Sequence, residues 1–162
     1  MILPYQWIIK HGPDIITPFD KERVNPASYD VALEERIYVK GKESMLLPYT
    51  IMPQEFIIAS TREYVKFPLD VAGDLKLKSS IGRMGINHAL SGWFDPGFEG
   101  NATLELQNIS GWPVQLVAGM KIAQLVFMQL TEATCLPYEK VGRYCKQVGP
   151  TLARAERQRE MP

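Results

Sequence analysis

The feature that most constrains the fold of this chain is the alternation of apolar and polar residues in short segments. Tyr29, Val31 and Leu33 occupy every second position of one such segment, as in a strand with one buried face. Proline, glycine and asparagine separate these segments, and helical periodicity is almost absent. Further strands are predicted at 37–39, 55–61, 74–78, 102–108, 114–117 and 121–130. This pattern predicts an all-β fold, an antiparallel sandwich or barrel such as a jelly roll.

Two segments depart from the alternation. Residues 3–10 are mostly apolar and are followed by Gly12-Pro13, which predicts a short N-terminal helix that ends there. Over 122–128 both faces of the predicted strand carry apolar side chains, so this strand should be buried on both sides. Either a second sheet or another subunit could provide that cover.

Composition excludes several classes of protein. The 162 residues fit one domain, and 18 Lys and Arg balance 18 Asp and Glu, which predicts neither a nucleic-acid partner nor an anionic membrane surface. No apolar run approaches the ~20 residues that span a bilayer, and the N-terminus does not resemble a signal peptide. Two cysteines cannot form a disulfide scaffold, so a reducing compartment and a cytoplasmic location are predicted.

The strand pattern also divides the chain. It predicts a β domain with its N-terminal helix over 1–142 and a separate C-terminal segment over 143–162. From Leu152 onward the residues are polar and charged with few apolar positions, which predicts a mobile tail.

Polar residues concentrate in three segments, at 78–83, 92–100 and 103–108. The first contains Lys78, Ser79, Ser80 and Arg83, a compact set of donors for a phosphate chain. Its alternative is a helix N-cap with a surface lysine and arginine. The glycine-rich second segment has neither the Walker nor the dinucleotide-binding spacing, and a hairpin turn is its alternative.

Glu105 lies between Leu104 and Leu106, and strand alternation turns it to the opposite face, together with Thr103 and Gln107. On a solvated face Glu105 would be an ordinary surface carboxylate. In a cleft, loss of water would suit it to proton transfer. The pattern alone leaves both alternatives open.

Several ordered segments together resemble the dCTP deaminase family, which shares its fold with the trimeric dUTPases. The matching sequences are NPASYDV, KSSIGRMG, GWFDPGFEG followed by TLEL, GMKIAQL, and RY followed by QVGPT, and they span residues 25–154. The resemblance implies a distorted jelly roll, or dUTPase-like β-barrel, assembled as a homotrimer with active sites shared between subunits. It implies hydrolytic deamination of dCTP to dUTP and ammonia.

The resemblance also implies roles for individual residues. Glu105 corresponds to the catalytic glutamate, with Ser79, Arg83 and Asp95 as further catalytic residues. Substrate binding is implied for Lys78, Ser80, Gly92, Trp93, Phe98, Tyr138, Arg143, Tyr144 and Gln147, of which the last four belong to a lid over the triphosphate.

Some of these roles have alternatives in the sequence. Lys78 stands where many relatives have arginine, so it keeps the charge but loses the bidentate fork. Asp95 corresponds to the aspartate at the deoxyribose 3′-hydroxyl, which in dUTPases also meets the attacking water, and Phe98 to an aromatic packed on the sugar. A turn-initiating aspartate and a core phenylalanine are the alternatives.

The resemblance implies Mg²⁺ bound through the triphosphate, without protein ligands for the metal. Zinc is not expected, because the H-x-E and P-C-x-x-C patterns of zinc-dependent cytidine deaminases are absent. His88, for example, is followed by Ala89 and Leu90. Proton transfer would then fall to Glu105, with Ser79 and the surrounding dipoles.

The residues before the Pro-Gly turn bear on the product. Ser91-Gly92-Trp93-Phe94-Asp95 is closer to the Ala-Gly-Phe/Trp-Ile-Asp of relatives that continue to dUMP and pyrophosphate than to the His-Arg-Ile-Asp of those that stop at dUTP. This favours a bifunctional enzyme. The alternatives are a dUTP diphosphatase without deaminase activity and a catalytically silent nucleotide-binding module.

Overall fold

The structure, a computed structural model, describes residues 1–41, 43–89 and 92–154. Its α-helices are Tyr5–Ile15 (α1), Ser79–Arg83 (α2) and Tyr138–Val141 (α3), and a 3-10 turn lies at Lys21–Arg23. Its strands are Ile16–Thr17 (β1), Val24–Asn25 (β2), Ser28–Ala32 (β3), Arg36–Val39 (β4), Glu43–Leu46 (β5), Tyr49–Ile51 (β6), Phe56–Lys66 (β7), Val71–Leu77 (β8), Ile86–His88 (β9), Trp93–Phe94 (β10), Glu99–Asn108 (β11), Val114–Leu116 (β12) and Lys121–Gln129 (β13). The predicted all-β class with a short N-terminal helix is confirmed.

Two antiparallel sheets form the body of the fold. One has the strand order β5-β4-β7-β11-β9, with β1 beside β7, and the other has the order β10-β8-β13-β3-β2. A separate pair joins β12 to β6. The long strands β7 and β11 run side by side, from Lys66 opposite Glu99 to Phe56 opposite Gln107. Over the residues that the structure describes, the sheets are not closed on themselves.

The hydrophobic core draws on both sheets. Leu104 and Leu106 of β11 are fully buried, as are Tyr29 and Val31 of β3. These are the every-second positions that the alternation predicted to face inward. In β3, however, Asp30 and Ala32 at the intervening positions are buried as well, so the prediction of one buried face is wrong for that strand. Burying each such apolar side chain stabilises the fold by about 1.5–3 kcal/mol, so the pattern holds β11 in a fixed orientation.

A β-bulge near the start of β13 explains why both faces of this strand are apolar there. The register against β3 shifts between Lys121 and Ala123. Ile122 and Ala123 are adjacent, yet both are fully buried, because a bulge re-aims one side chain. Further along the strand, the Trp7 ring of α1 lies 5.9 Å from that of Phe127. Beyond Ala123 the other face, with Gln124, Val126 and Met128, is only half-buried, so the prediction of burial on both sides is wrong for most of the strand.

Helix α1 continues past the glycine and proline that were predicted to end it. Pro13 lies inside the helix, which ends at Ile15. Gly12 packs against the ring of Phe19, and an added Cβ would lie 2.3 Å from Cε2 of that ring. The glycine therefore permits a close approach between the helix and the following chain. Pro13 lies two residues before the end of the helix and removes one hydrogen bond to the preceding turn.

Some predictions concern residues outside the described part of the chain. These are Leu90 and Ser91 before the Pro-Gly turn, and the tail from residue 155 to the end. The division into 1–142 and 143–162 stays a prediction. None of the helices in the described residues is long and apolar enough to cross a bilayer.

Candidate active site

A cavity of about 420 Å³ lies beside β11 and contains many of the residues predicted from the sequence. Those that line it are Trp93, Phe98, Glu105, Tyr138, Tyr144 and Gln147. Its volume is within the range of pockets that enclose a small organic ligand. Most of the lining is aromatic or aliphatic, so the few polar groups would orient whatever binds there.

Glu105 is directed into this cavity by the alternation of β11. Leu104 and Leu106 are fully buried in the core, whereas Glu105 is half-buried and lines the cavity. Across the ladder Glu105 faces Ile58 of β7, and its backbone carbonyl accepts a hydrogen bond of 3.1 Å from the N–H of Ala89. The sequence left open whether Glu105 lies on a solvated face or in a cleft, and the structure places it in a cleft.

The wall around Glu105 includes residues that the sequence did not single out as site residues. Phe56 and Ile58 of β7 lie beside it, and Thr103 precedes it by two positions on the same face of β11. Thr151 of the C-terminal segment completes this side. The position of Thr103 could have been found from the alternation, but the two β7 residues depend on strand pairing.

Aromatic rings that meet at steep angles line part of the cavity. The ring of Phe98 lies 4.9 Å from that of Phe94 and 5.4 Å from that of Tyr138. Phe98 is 3% exposed, so it is a core residue that also lines the site. Burial raises the pKa of the Tyr138 hydroxyl, although the N–H of Tyr144, which donates to it over 3.3 Å, opposes that shift.

The turn between β10 and β11 places Asp95 at the rim. The indole Nε1 of Trp93 donates a 2.9 Å hydrogen bond to Oδ1 of Asp95, and the N–H of Phe98 donates to the Asp95 carbonyl over 3.0 Å. Asp95 is exposed and is not part of the cavity wall. Gly92 is packed against β8, where a Cβ would lie 2.5 Å from the carbonyl oxygen of Leu75. Gly92 therefore lets this segment approach β8.

The C-terminal segment covers one side of β11. Gln147 forms a parallel bridge with Gly100, its carbonyl accepts from the N–H of Asn101 over 3.0 Å, and its Nε2 donates to the Asn101 carbonyl over 2.7 Å. The N–H of Gly149 donates to Oδ1 of Asn101 over 3.1 Å. Buried Asn101 thus holds the segment that carries Tyr144 and Gln147 against the cavity.

Arg143 belongs to the same segment but lies away from the cavity wall. Its carbonyl accepts a 2.6 Å hydrogen bond from Nη1 of Arg154. The guanidinium of Arg154 also lies 5.6 Å from the centre of the Tyr144 ring. These contacts link the two ends of the segment 143–154.

The residues predicted around α2 do not meet Glu105 within one chain. Ser79, Ser80 and Arg83 are exposed on α2, and neither they nor Lys78 line the cavity. Lys78 occupies the N-cap position of α2 but makes no side-chain cap hydrogen bond. Its Nζ instead lies 2.7 Å from Oδ1 of Asp30. The predicted site residues therefore form two separate groups on this chain.

Asp30 is buried and is held as a carboxylate by its neighbours. Its Oδ1 also accepts a 2.9 Å hydrogen bond from Nδ2 of Asn25, and Nζ of Lys121 lies 3.3 Å from its Oδ2. Burial would raise the pKa of Asp30, but the hydrogen bonds from Lys78 and Asn25 outweigh this and lower the pKa below its ordinary value.

His88 lies in the strand next to Glu105. It pairs with Leu106 across β9 and β11 and is 6% exposed. Burial lowers its pKa, and the charge of the Glu105 carboxylate opposes only part of that effect. The structure therefore has His88 packed in the protein interior.

The described residues 1–41, 43–89 and 92–154 contain no group of three or more His, Cys, Asp and Glu side chains that could hold a metal ion. Mg²⁺ that is bound mainly through phosphates and water needs no such group.

Comparison with protein families gives a match to the model described as dCTP deaminase-like over residues 2–130. A protein of Streptomyces coelicolor named "dCTP deaminase, dUMP-forming" is 39% identical over 171 residues, covering 91% of this chain and 90% of that protein. A protein of the same name from Bifidobacterium longum is 45% identical over 136 residues, covering 82% of this chain and 68% of the relative.

Solved structures are similar in fold. The 2′-deoxycytidine 5′-triphosphate deaminase of Agrobacterium tumefaciens superimposes with a TM-score of 0.68 at 21% identity, covering 78% of this chain and 47% of that one. The dUTPase of Staphylococcus bacteriophage 80alpha superimposes with a TM-score of 0.54 at 17% identity, covering 75% of this chain and 92% of that one. At these identities the likeness concerns the fold alone.

Proposed function

The chain belongs to the dCTP deaminase-like family, and on that basis we propose that it deaminates dCTP to dUTP and then hydrolyses dUTP to dUMP and pyrophosphate. One structural observation supports this above all: the half-buried carboxylate of Glu105 faces a cavity lined by aromatic rings. Relatives named for formation of dUMP match along most of the chain. Both reactions are hydrolyses of one pyrimidine deoxynucleotide.

Glu105 is the proposed proton carrier for deamination. It takes a proton from water as the oxygen bonds to C4 of cytosine, and it delivers that proton to N3. The second proton of the water then passes through Glu105 to the amino group, the bond from C4 to that nitrogen breaks, and ammonia leaves. A single placed carboxylate of this kind contributes about 10²–10⁴ in rate.

Ser79 and Arg83 are proposed to reach the Glu105 cavity from a neighbouring subunit. On one chain they lie outside the cavity wall, and both are exposed. A homotrimer with shared sites would join the α2 group of one subunit to the Glu105 cavity of the next. Ser79 would then contact the reacting water, and Arg83 and Ser80 the phosphates, while Lys78 stays on Asp30 beside them.

Asp95 is the proposed residue for the second reaction. Its carboxylate would bind the 3′-hydroxyl and direct water to the α-phosphorus. The new phosphorus–oxygen bond forms as the bond to the bridging oxygen breaks, and pyrophosphate departs. Phe98 would pack on the deoxyribose, and Gly92 and Trp93 would shape the same end of the cavity. Mg²⁺ bound to the phosphates would neutralise their charge as pyrophosphate leaves.

The C-terminal residues are proposed as a lid. Tyr138, Tyr144 and Gln147 already line the cavity, and Arg143 lies in the same segment. Closure over the triphosphate would exclude water that is not meant to react. We also propose a cytoplasmic location, which the free thiols of Cys135 and Cys145 support.

The proposal is tested by incubating the full chain with dCTP and Mg²⁺ and measuring ammonia and pyrophosphate separately. The expected result is one pyrophosphate for each ammonia. Ammonia without pyrophosphate would limit the activity to dUTP formation.

A dUTP diphosphatase without deaminase activity is the second candidate. The position of Asp95 next to Trp93 of the cavity wall favours it. Pyrophosphate from dUTP, with no ammonia from dCTP, would support this candidate against the first. Saturable nucleotide binding with neither product would instead indicate a silent binding module.

A further inference from the structure

One buried carboxylate near α2 holds two lysines at once. Nζ of Lys78 lies 2.7 Å from Oδ1 of Asp30, and Nζ of Lys121 lies 3.3 Å from Oδ2. Nδ2 of Asn25 donates to Oδ1 as well, over 2.9 Å. The side chain of Asp30 is 5% exposed, so both of its oxygens are used inside the protein.

Strand pairing brings these groups together. Asp30 is on β3 and Lys121 begins β13, which pairs with β3 next to its bulge. Lys78 follows β8, and its N–H donates to the carbonyl of Ile122 over 3.1 Å. Three neighbouring strands therefore deliver the two lysines and the aspartate to the same end of one sheet, where α2 begins.

The charges in this cluster do not balance. Two ammonium groups face one carboxylate, which leaves an excess of one positive charge at the start of α2. A buried carboxylate needs a partner, but one lysine with the Asn25 amide meets that need. Charge compensation of Asp30 therefore does not explain the presence of the second lysine.

The two lysines differ in how tightly they are held. The side chain of Lys78 is 22% exposed and has the shorter contact, whereas that of Lys121 is 46% exposed and has the longer one. A lysine ammonium on a flexible stem can turn from one anion to another at little cost. Lys121 is thus the member of the pair that can leave Asp30 while Lys78 stays.

We propose that Lys121 is a further substrate-binding residue, whose ammonium turns from Asp30 to the phosphate chain of the nucleotide while Lys78 keeps Asp30 neutralised. This rests on the proposed function, because it assigns Lys121 to the phosphate end of the same substrate. Asp30 is then a positioning residue: it holds both ammonium groups at α2 in the absence of substrate.

The test compares Lys121→Gln with the native chain by calorimetric titration with dCTP and with inorganic tripolyphosphate, each with Mg²⁺. Loss of one charge contact should weaken binding of both ligands by about tenfold. Lys121→Arg, which keeps the charge, should recover most of the affinity. In turnover, Lys121→Gln should raise KM for dCTP by a similar factor and change kcat less than about threefold.

Lys40→Gln is the matched control. Lys40 follows β4 in the other sheet and also pairs with one carboxylate, since its Nζ lies 3.8 Å from Oε2 of Glu43. Its removal should leave both affinities unchanged. Melting temperatures of all three variants show whether Lys121→Gln has altered the fold instead of the site.

Equal affinities of Lys121→Gln and Lys40→Gln for tripolyphosphate and dCTP would overturn the role of Lys121. So would a loss of affinity that Lys121→Arg fails to restore while its melting temperature stays native. Failure of the proposed function is a different result, because the native chain itself would then release no ammonia from dCTP. The tripolyphosphate titration needs no turnover, so the two failures are told apart.

Discussion

The indole Nε1 of Trp93 donates a 2.9 Å hydrogen bond to Oδ1 of Asp95. Trp93 is itself 58% exposed and lines the cavity, so its ring reaches from the site to the rim. A donor on one carboxylate oxygen fixes the orientation of the other. Asp95 is the residue proposed to direct water to the α-phosphorus. Its orientation therefore depends on Trp93, two positions earlier in the chain.

Trp93→Phe removes this donor and keeps an aromatic ring. We expect pyrophosphate release from dUTP to fall by about tenfold, because a hydrogen bond to a charged group is lost. Ammonia release from dCTP should fall less, since Glu105 is untouched. Both products are measured in one time course. An equal fall in both rates would mean that Trp93 supports the cavity as a whole.

Glu105→Gln tests the proton carrier. The amide has nearly the same shape as the carboxylate but cannot accept the proton of water, so we expect ammonia release to become undetectable. Binding of dCTP should stay within about tenfold, measured by titration. Gln107→Glu, on the same face of β11, leaves Glu105 in place and serves as a control for a change of charge on this strand. Near-native deamination by Glu105→Gln would refute the role.

The faces of β11 could be predicted from the sequence, because burial of Leu104 and Leu106 leaves the residue between them only the other face. The bulge at Lys121 could not, since it depends on the register between two strands that lie far apart in the chain. Nor could β5, whose four residues are all exposed and so carry no buried face to detect.

The candidate site was predictable to a similar extent. Glu105 and Phe98 line the same cavity because Glu105 is on β11 and Phe98 immediately precedes it. The two residues are close in sequence, so the local pattern is enough to predict that they lie near each other. The separation of Ser79 and Arg83 from this cavity depends on how the sheets pack. Whether the two groups join in an assembly depends on contacts between subunits, which alternation within one chain does not encode.

Mixing two inactive variants tests the shared site. If Glu105 and Arg83 of one site come from different subunits, homotrimers of Glu105→Gln and Arg83→Ala should both be inactive. After subunit exchange in an equal mixture, about one quarter of sites would carry both native residues. We expect ammonia release to recover to that level. A mixture that stays inactive although exchange is demonstrated by labelled subunits would place both residues on one chain.

The C-terminal segment is expected to matter more for turnover than for folding. Ending the chain after Gly142 removes Tyr144 and Gln147 from the cavity, and turnover should fall by at least about a hundredfold. The melting temperature should fall by only a few degrees, because the remaining core lies between the sheets. Ending the chain after Arg154 is the control and should change neither value. A large drop in melting temperature would contradict the role of a lid.

Asp30 makes a pH-dependent contribution to stability whose sign follows from its lowered pKa. The folded pKa lies below the ordinary value of 3.8, so the folded state favours the ionised carboxylate more than the unfolded chain does. The stabilisation is present above that ordinary value. It is lost as the pH falls through the lowered folded pKa, where Asp30 becomes protonated and its bonds to Lys78 and Lys121 weaken.

Asp30→Asn should therefore lose about 3 kcal/mol of unfolding free energy at pH 7, because two lysines are left without their carboxylate. The difference from the native chain should shrink as the pH falls from about 4 towards the lowered folded pKa, since the unfolded native chain then takes up a proton on Asp30 that the folded state binds less readily. Urea unfolding at pH 7 and at pH 3 measures both differences. Asp14→Asn, exposed on α1, makes the same chemical change and should show a small difference at either pH. If Asp30→Asn loses the same unfolding free energy at pH 7 and at pH 3, Asp30 stabilises the fold through its shape and not through its charge.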